Sequence, residues 1–124
     1  MTHQGTKYFL ADYSNYGRDT EALRNEVDAA DAVIEQQTDL LVLVDLRNTV
    51  TSSDVVKMMK HSSARTHGHV KKHAVIGVKG IQRILAAAVA KFSGEPLVLF
   101  DRIEDARDWL VGFDVETGVA VNPD

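Results

Sequence analysis

Residues able to do chemistry gather just after four short apolar runs. Asp12, Tyr13 and Ser14 follow the first; Asp45, Arg47 and Asn48 the second; Lys79 and Gly80 the third; Asp101 and Arg102 the fourth. If those runs are parallel strands, their carboxyl ends form the rim where ligands of such sheets usually sit. Strand ends are also polar because they emerge into water and cap helices, so each single position is open to a purely structural role. The most specific local feature is Gly77-Val78-Lys79-Gly80, which runs from an apolar segment into a helical pattern with Arg83 in its first turn. Free backbone N–H groups, the helix dipole and two basic side chains would favour a phosphate or carboxylate there. Glycines that permit a tight turn and close packing account for Gly77 and Gly80 equally well. The candidate anion- or ligand-binding residues are therefore Lys79, Gly80, Arg83, Asp45 and Arg47.

Other chemistries lack the spacing they need. His61, His67, His69 and His73 fall in one polar stretch, but there is no His-Glu-x-x-His and no cysteine, so no metal site is expected. No Gly-x-Ser-x-Gly elbow positions a nucleophile, and Gly77–Gly80 fits neither a Walker A loop nor the dinucleotide fingerprint. Asp12, Asp45 and Lys79 resemble the acidic cluster and lysine of a phospho-accepting receiver domain. A receiver, however, carries an acidic pair after its first strand and its lysine after a fifth. No catalytic residue and no cofactor is expected.

The elements that must position these residues follow from periodicity. Tyr8–Tyr13 reads as a first strand ended by Ser14-Asn15-Tyr16-Gly17. From Asp19 or Thr20 to about Gln37, Leu23, Val27, Ala30, Val33 and Ile34 recur at helical spacing. Leu40–Val44 is unbroken apolar, the pattern of a strand covered on both faces. Thr51-Ser52-Ser53-Asp54 has capping-box spacing before a helix carrying Val55, Val56, Met58 and Met59. His61 to His73 is expected to taper from helix into loop. Ala74–Val78 forms a third strand, Ile81–Phe92 a helix, and Leu97–Phe100 a fourth strand. Asp101-Arg102-Ile103-Glu104 then opens a helix that buries Ile103, Ala106, Trp109 and Leu110. A further strand or hairpin is expected between Phe113 and Val121. Strands alternating with helices imply an α/β fold: one four- to five-stranded mixed, largely parallel sheet with about four helices.

Bulk composition agrees with one domain spanning residues 1–124. The chain has 124 residues, 44% hydrophobic and 26% charged, enough for a single core. Its net charge of −4 offers no general field for a nucleic acid backbone. The chain has no cysteine, no signal-peptide pattern at Met1–Lys7 and no apolar run of spanning length. A cytoplasmic protein away from membranes is the expectation.

From Leu40 to Leu110 the order of features resembles the SpoIIAA-like branch of the STAS superfamily, whose founding members are anti-sigma factor antagonists. Leu41-Val42-Leu43-Val44-Asp45-Leu46-Arg47 is similar to that family's strand ending in Asp-hydrophobic-Arg. Lys72-His73-Ala74-Val75-Ile76-Gly77 is similar to its Ala-Val-Val-Gly strand, and Phe100 with Glu104–Leu110 to its closing helix. The resemblance implies a mixed sheet with helices largely on one side, often a dimer, and no catalysis. In true antagonists a kinase phosphorylates a serine within Asp-Ser-x-Gly at the start of the helix after the central strand. The comparable stretch here holds Ser52 and Ser53, without that aspartate or glycine; helix capping alone also explains hydroxyls at this place.

Two readings of function follow. One is a non-enzymatic STAS-like regulatory or protein-interaction domain that uses the rim and the second helix. The other is a carrier of a small anionic or lipid-like molecule held between the Lys79-Gly80 turn and apolar side chains, since STAS-like sheets resemble lipid-binding SEC14 domains. A homodimer through the apolar residues of the second helix, or through the tail after Gly112, is expected.

Overall fold

The computed structural model describes residues 1–79 and 97–112. Four parallel strands form the central sheet: β3 (Phe9–Asp12), β4 (Leu40–Asp45), β5 (Val70–Ile76) and β6 (Leu97–Phe100), side by side in chain order. A separate antiparallel pair, β1 (Thr2–His3) and β2 (Thr6–Lys7), precedes them. The helices among the described residues are α1 (Thr20–Ile34), α2 (Ser53–Arg65) and α3 (Ile103–Val111). The architecture is thus α/β as expected, with three helices described rather than about four. The helix expected over Ile81–Phe92 and the strand or hairpin expected after Phe113 lie outside the described residues.

Alternation along β4 explains why its run is unbroken. Val42 and Val44 face one apolar cluster with α1 and α2, and Leu43 faces a second with α3, so both sides of the strand are covered. The two crossovers from β3 to β4 and from β4 to β5 place α1 and α2 on the same face, as same-handed connections between sequential neighbours must. Helix α3 covers the opposite face through Ala106 and Leu110. Its position is fixed by Lys72, whose Nζ donates to the Trp109 carbonyl at 2.7 Å and lies 4.5 Å from the Trp109 ring centroid. A cation against the last carbonyls of a helix also complements the helix dipole. His3 meets Asp108 at 2.8 Å, which ties the N-terminal hairpin to the same helix.

Several local expectations need correction. In α1, Leu23, Val27, Ala30 and Ile34 are buried, but Val33 is 46% exposed and Asp31 is 2% exposed. Position 31 is one helical turn beyond Val27, so the stripe runs through an acid. The second helix is capped by Ser52, whose Oγ accepts from Val55 N at 3.3 Å; Thr51 lies outside the helix and no Thr51–Asp54 box forms. The last helix has Arg102, not Asp101, at its cap position, and Arg102 makes no side-chain cap hydrogen bond. Strand β5 starts at Val70, four residues before the expected Ala74. Val70 and His73 are buried while Lys71 is exposed, and a register shift opposite Leu40–Leu41 adds one residue to β5 there, so no period-2 pattern marks the start of the strand. The apolar residues Val55, Val56 and Met58 of α2 are buried inside this chain, so they are not free for the dimer contact expected of that helix.

Candidate functional site

Register brings the strand ends to one edge. Asp12 pairs with Asp45, Asp45 with Ile76, and Ile76 with Phe100, so the loops after all four strands leave the sheet together. Asp12, Asp45, Lys79 and Asp101 thus belong to one rim, as the sequence reading required. Gly80 and Arg83 lie outside the described residues.

The two loops after β3 and β4 are knitted to each other. Asn15 N donates to the Arg47 carbonyl at 2.8 Å and Gly17 N to the Asn48 carbonyl at 2.9 Å. Thr49 Oγ1 donates to the Tyr13 carbonyl at 2.6 Å and accepts from Tyr16 N at 3.0 Å. Asn48 Nδ2 donates to Asn15 Oδ1 at 2.9 Å. Both asparagines hold positive φ (66° and 61°), a conformation asparagine tolerates better than most residues. Asn15, Asn48 and Thr49 are the residues that shape this rim; Asn48 was among the strand-end residues singled out from the sequence, Asn15 was legible only as part of the Ser14–Gly17 turn, and Thr49 was missed.

Asp45 and Arg47 satisfy one another. Arg47 Nε donates to Asp45 Oδ1 at 3.0 Å, Nη2 donates to Oδ2 at 2.8 Å, and the Arg47 backbone N–H donates to Oδ1 at 3.0 Å. Burial alone would raise the Asp45 pKa, but these hydrogen bonds and the guanidinium charge outweigh it and leave the carboxyl below its ordinary value. Arg47 is pushed up in turn, chiefly by the hydrogen bond to Asp45. The pair is a closed fork-to-fork contact rather than an open anion receptor.

Gly77, directly after β5, lies against the Leu46–Arg47 backbone. Its φ is +95°, and a Cβ there would lie 2.4 Å from Arg47 N and 2.6 Å from Leu46 C. Close packing therefore requires this glycine. Lys79, two residues on, is exposed. The exposed rim mixes signs, with Asp12, Asp101 and Glu104 beside Arg47, Lys79 and Arg102. Such a surface focuses no single charge.

At the start of α2, Ser53 is exposed, while the Ser52 hydroxyl serves as the cap. Behind α2 lies a half-open pocket of about 60 Å³ between helix and sheet, with Thr51, Ser63, His73, Val75 and Val78 in its wall. His73 is therefore buried in a strand rather than solvated in a loop, and burial pushes its pKa down to about 4. His61, on α2, and His67, in the following turn, are exposed, and no group of side chains suited to a metal occurs among the described residues. Ser63 occupies the buried stripe of α2 one turn past Met59, where a helical count carried further would have placed it.

A four-stranded parallel sheet with helices on both faces, its strand-end loops knitted into one rim, defines an α/β module. The chain belongs to the SpoIIAA-like family, whose model matches residues 15–111. The match reaches back through α1 to Asn15, beyond the Leu40–Leu110 stretch that carried the resemblance. No curated protein and no solved structure matches the chain. Domains of this family are generally regulatory and non-enzymatic. No helix among the described residues is long and apolar enough to cross a membrane.

Proposed function

We propose that this chain is a cytoplasmic regulatory domain of the anti-sigma factor antagonist kind, which works by binding another protein through its rim and the start of α2. The observation that carries the reading is the in-register convergence of four strand ends on one edge, next to the exposed Ser53. Mixed charge on that edge suits a protein surface, where complementary pairs set orientation, better than a single anion. Phosphorylation at Ser53 would add a charge favourable to a helix N-terminus, whereas at Ser52 it would displace the capping hydroxyl. The anion-carrier reading has weaker support, because Asp45 holds Arg47 and only the exposed Lys79 remains among the described candidates. The lipid-like version meets a pocket of about 60 Å³, well below the roughly 150 Å³ that admits even benzene.

The test is affinity capture with the full chain from lysate of its own cells, followed by titration of the purified partner. Lys79→Glu and Ser53→Asp should each weaken binding about tenfold while leaving the melting temperature unchanged. A partner whose affinity ignores both substitutions, or the recovery of no partner, would overturn the reading.

A further inference from the structure

The pocket behind α2 has a composition that restricts its occupant. Among the described residues, no Asp, Glu, Lys or Arg lines it. Two hydroxyls in its wall, Thr51 Oγ1 and Ser63 Oγ, have no hydrogen-bond partner among the described residues, and those residues are only 2% and 6% exposed. The other hydroxyls of α2 there are engaged: Ser62 Oγ donates to Asp31 at 2.7 Å and Thr66 Oγ1 to the Ser62 carbonyl at 2.9 Å. His73, with its lowered pKa, is neutral at pH 7 and supplies no counter-charge.

Each class of guest can be weighed against this wall. An ionised guest would lose its hydration and find no opposite charge among the described wall residues. A wholly apolar guest would seal two hydroxyls away from any partner, the costly way to bury a polar group. A neutral guest with one hydrogen-bonding group avoids both penalties. The volume of about 60 Å³ limits it to roughly two or three heavy atoms, since a cavity of about 150 Å³ accommodates benzene with its six.

We propose that this pocket binds a small neutral molecule bearing a hydroxyl or amide group, hydrogen-bonded to Thr51 Oγ1 and Ser63 Oγ with its apolar part toward Val44, Val75 and Leu99. The site lies beneath α2 rather than on the rim, so it stands or falls apart from the interaction reading.

The experiment titrates the ¹⁵N-labelled full chain with methanol, formamide and formate at pH 7, following amide shifts, and repeats the series with Thr51→Val and Ser63→Ala. Saturable shifts at Thr51, Ser63 and their neighbours are expected with methanol or formamide, at least about tenfold weaker with formate and in either variant. Shifts that grow linearly for every probe would overturn the proposal. So would formate binding as well as methanol, or binding undiminished in both variants. Crystals soaked in methanol that keep ordered water on the two hydroxyls would reduce the site to internal hydration and equally overturn it. Should Thr51→Val fail to fold, the comparison of neutral with ionised probes on the unaltered chain, together with Ser63→Ala, still decides.

Discussion

Replacing Gly77 with alanine tests whether the rim is assembled by close backbone contact. At φ +95° an alanine is strained, at a cost of order 1–3 kcal/mol. The added Cβ would also stand 2.4 Å from Arg47 N, 2.6 Å from Leu46 C and 2.8 Å from Arg47 Cα. These are backbone atoms of a loop held by Leu46 N donating to the Ile76 carbonyl at 2.9 Å and by Asn15 N donating to the Arg47 carbonyl, so they cannot swing aside as a side chain would. Overpacking against such atoms adds about 1–3 kcal/mol, for a total of roughly 3–5 kcal/mol. In urea, with an m-value of about 2 kcal/mol/M, the midpoint should fall by roughly 2 M. Gly68 is the control: its φ is +91°, but nothing lies within 4 Å of a Cβ built on it, so Gly68→Ala carries the dihedral strain alone. Its midpoint should fall by about half as much. Equal losses at the two glycines would show that the approach of β5 to the Leu46–Arg47 backbone is not a real constraint, and the account of how the rim is held would fail with it.

Arg47→Ala should destabilise the chain by about 2 kcal/mol at pH 7, between the values for exposed and fully buried ion pairs because the arginine is half exposed and Asp45 is buried. Since the folded pKa of Asp45 is lowered, its contribution is complete above the unfolded value of about 3.9 and is lost as pH falls through the folded value. Denaturation curves of variant and parent should therefore converge in acid, and a constant gap would refute the pairing. Asp31 has the opposite sign: burial chiefly raises its pKa, so its favourable share is present at low pH and lost as pH rises through the folded value. Asp31→Asn should accordingly gain on the parent as pH is raised from 3 to 7, measured by melting temperature; a gain on lowering pH would contradict the buried placement. Ser52→Ala should cost about 1 kcal/mol as a lost cap, and Ser53→Ala less than about 0.5 kcal/mol. A reversed order in urea titration would move the helix start.

How much of this was legible in the sequence depends on which force wrote each feature. Strand β4 and helix α1 were readable because burial of an entire strand and of one helical stripe leaves periodic apolar letters. The N-terminal hairpin was not, since two-residue strands have no period; its turn shows only in the positive φ of Gln4 and Gly5. Strand β5 was shortened in the reading because Lys72 places a cation on the end of α3 and looks like loop when its partner, far along the chain, is unknown. The rim's location followed from strand order alone, but its chemistry did not. Asp45 and Arg47 are residue types suited to recognising a ligand, and two residues apart they reach each other instead, because the chain turns immediately after Asp45 and folds the guanidinium back onto the carboxylate. Thr51 and Ser63 were open to the opposite misreading, a cap and a solvated helix residue, though both face the pocket. Residue type states what a side chain is able to bind; whether a partner from the same chain already occupies it is decided by loop geometry. The groups left with capacity for something outside the chain are therefore better sought where the fold supplies a wall and no partner than where the sequence looks most reactive.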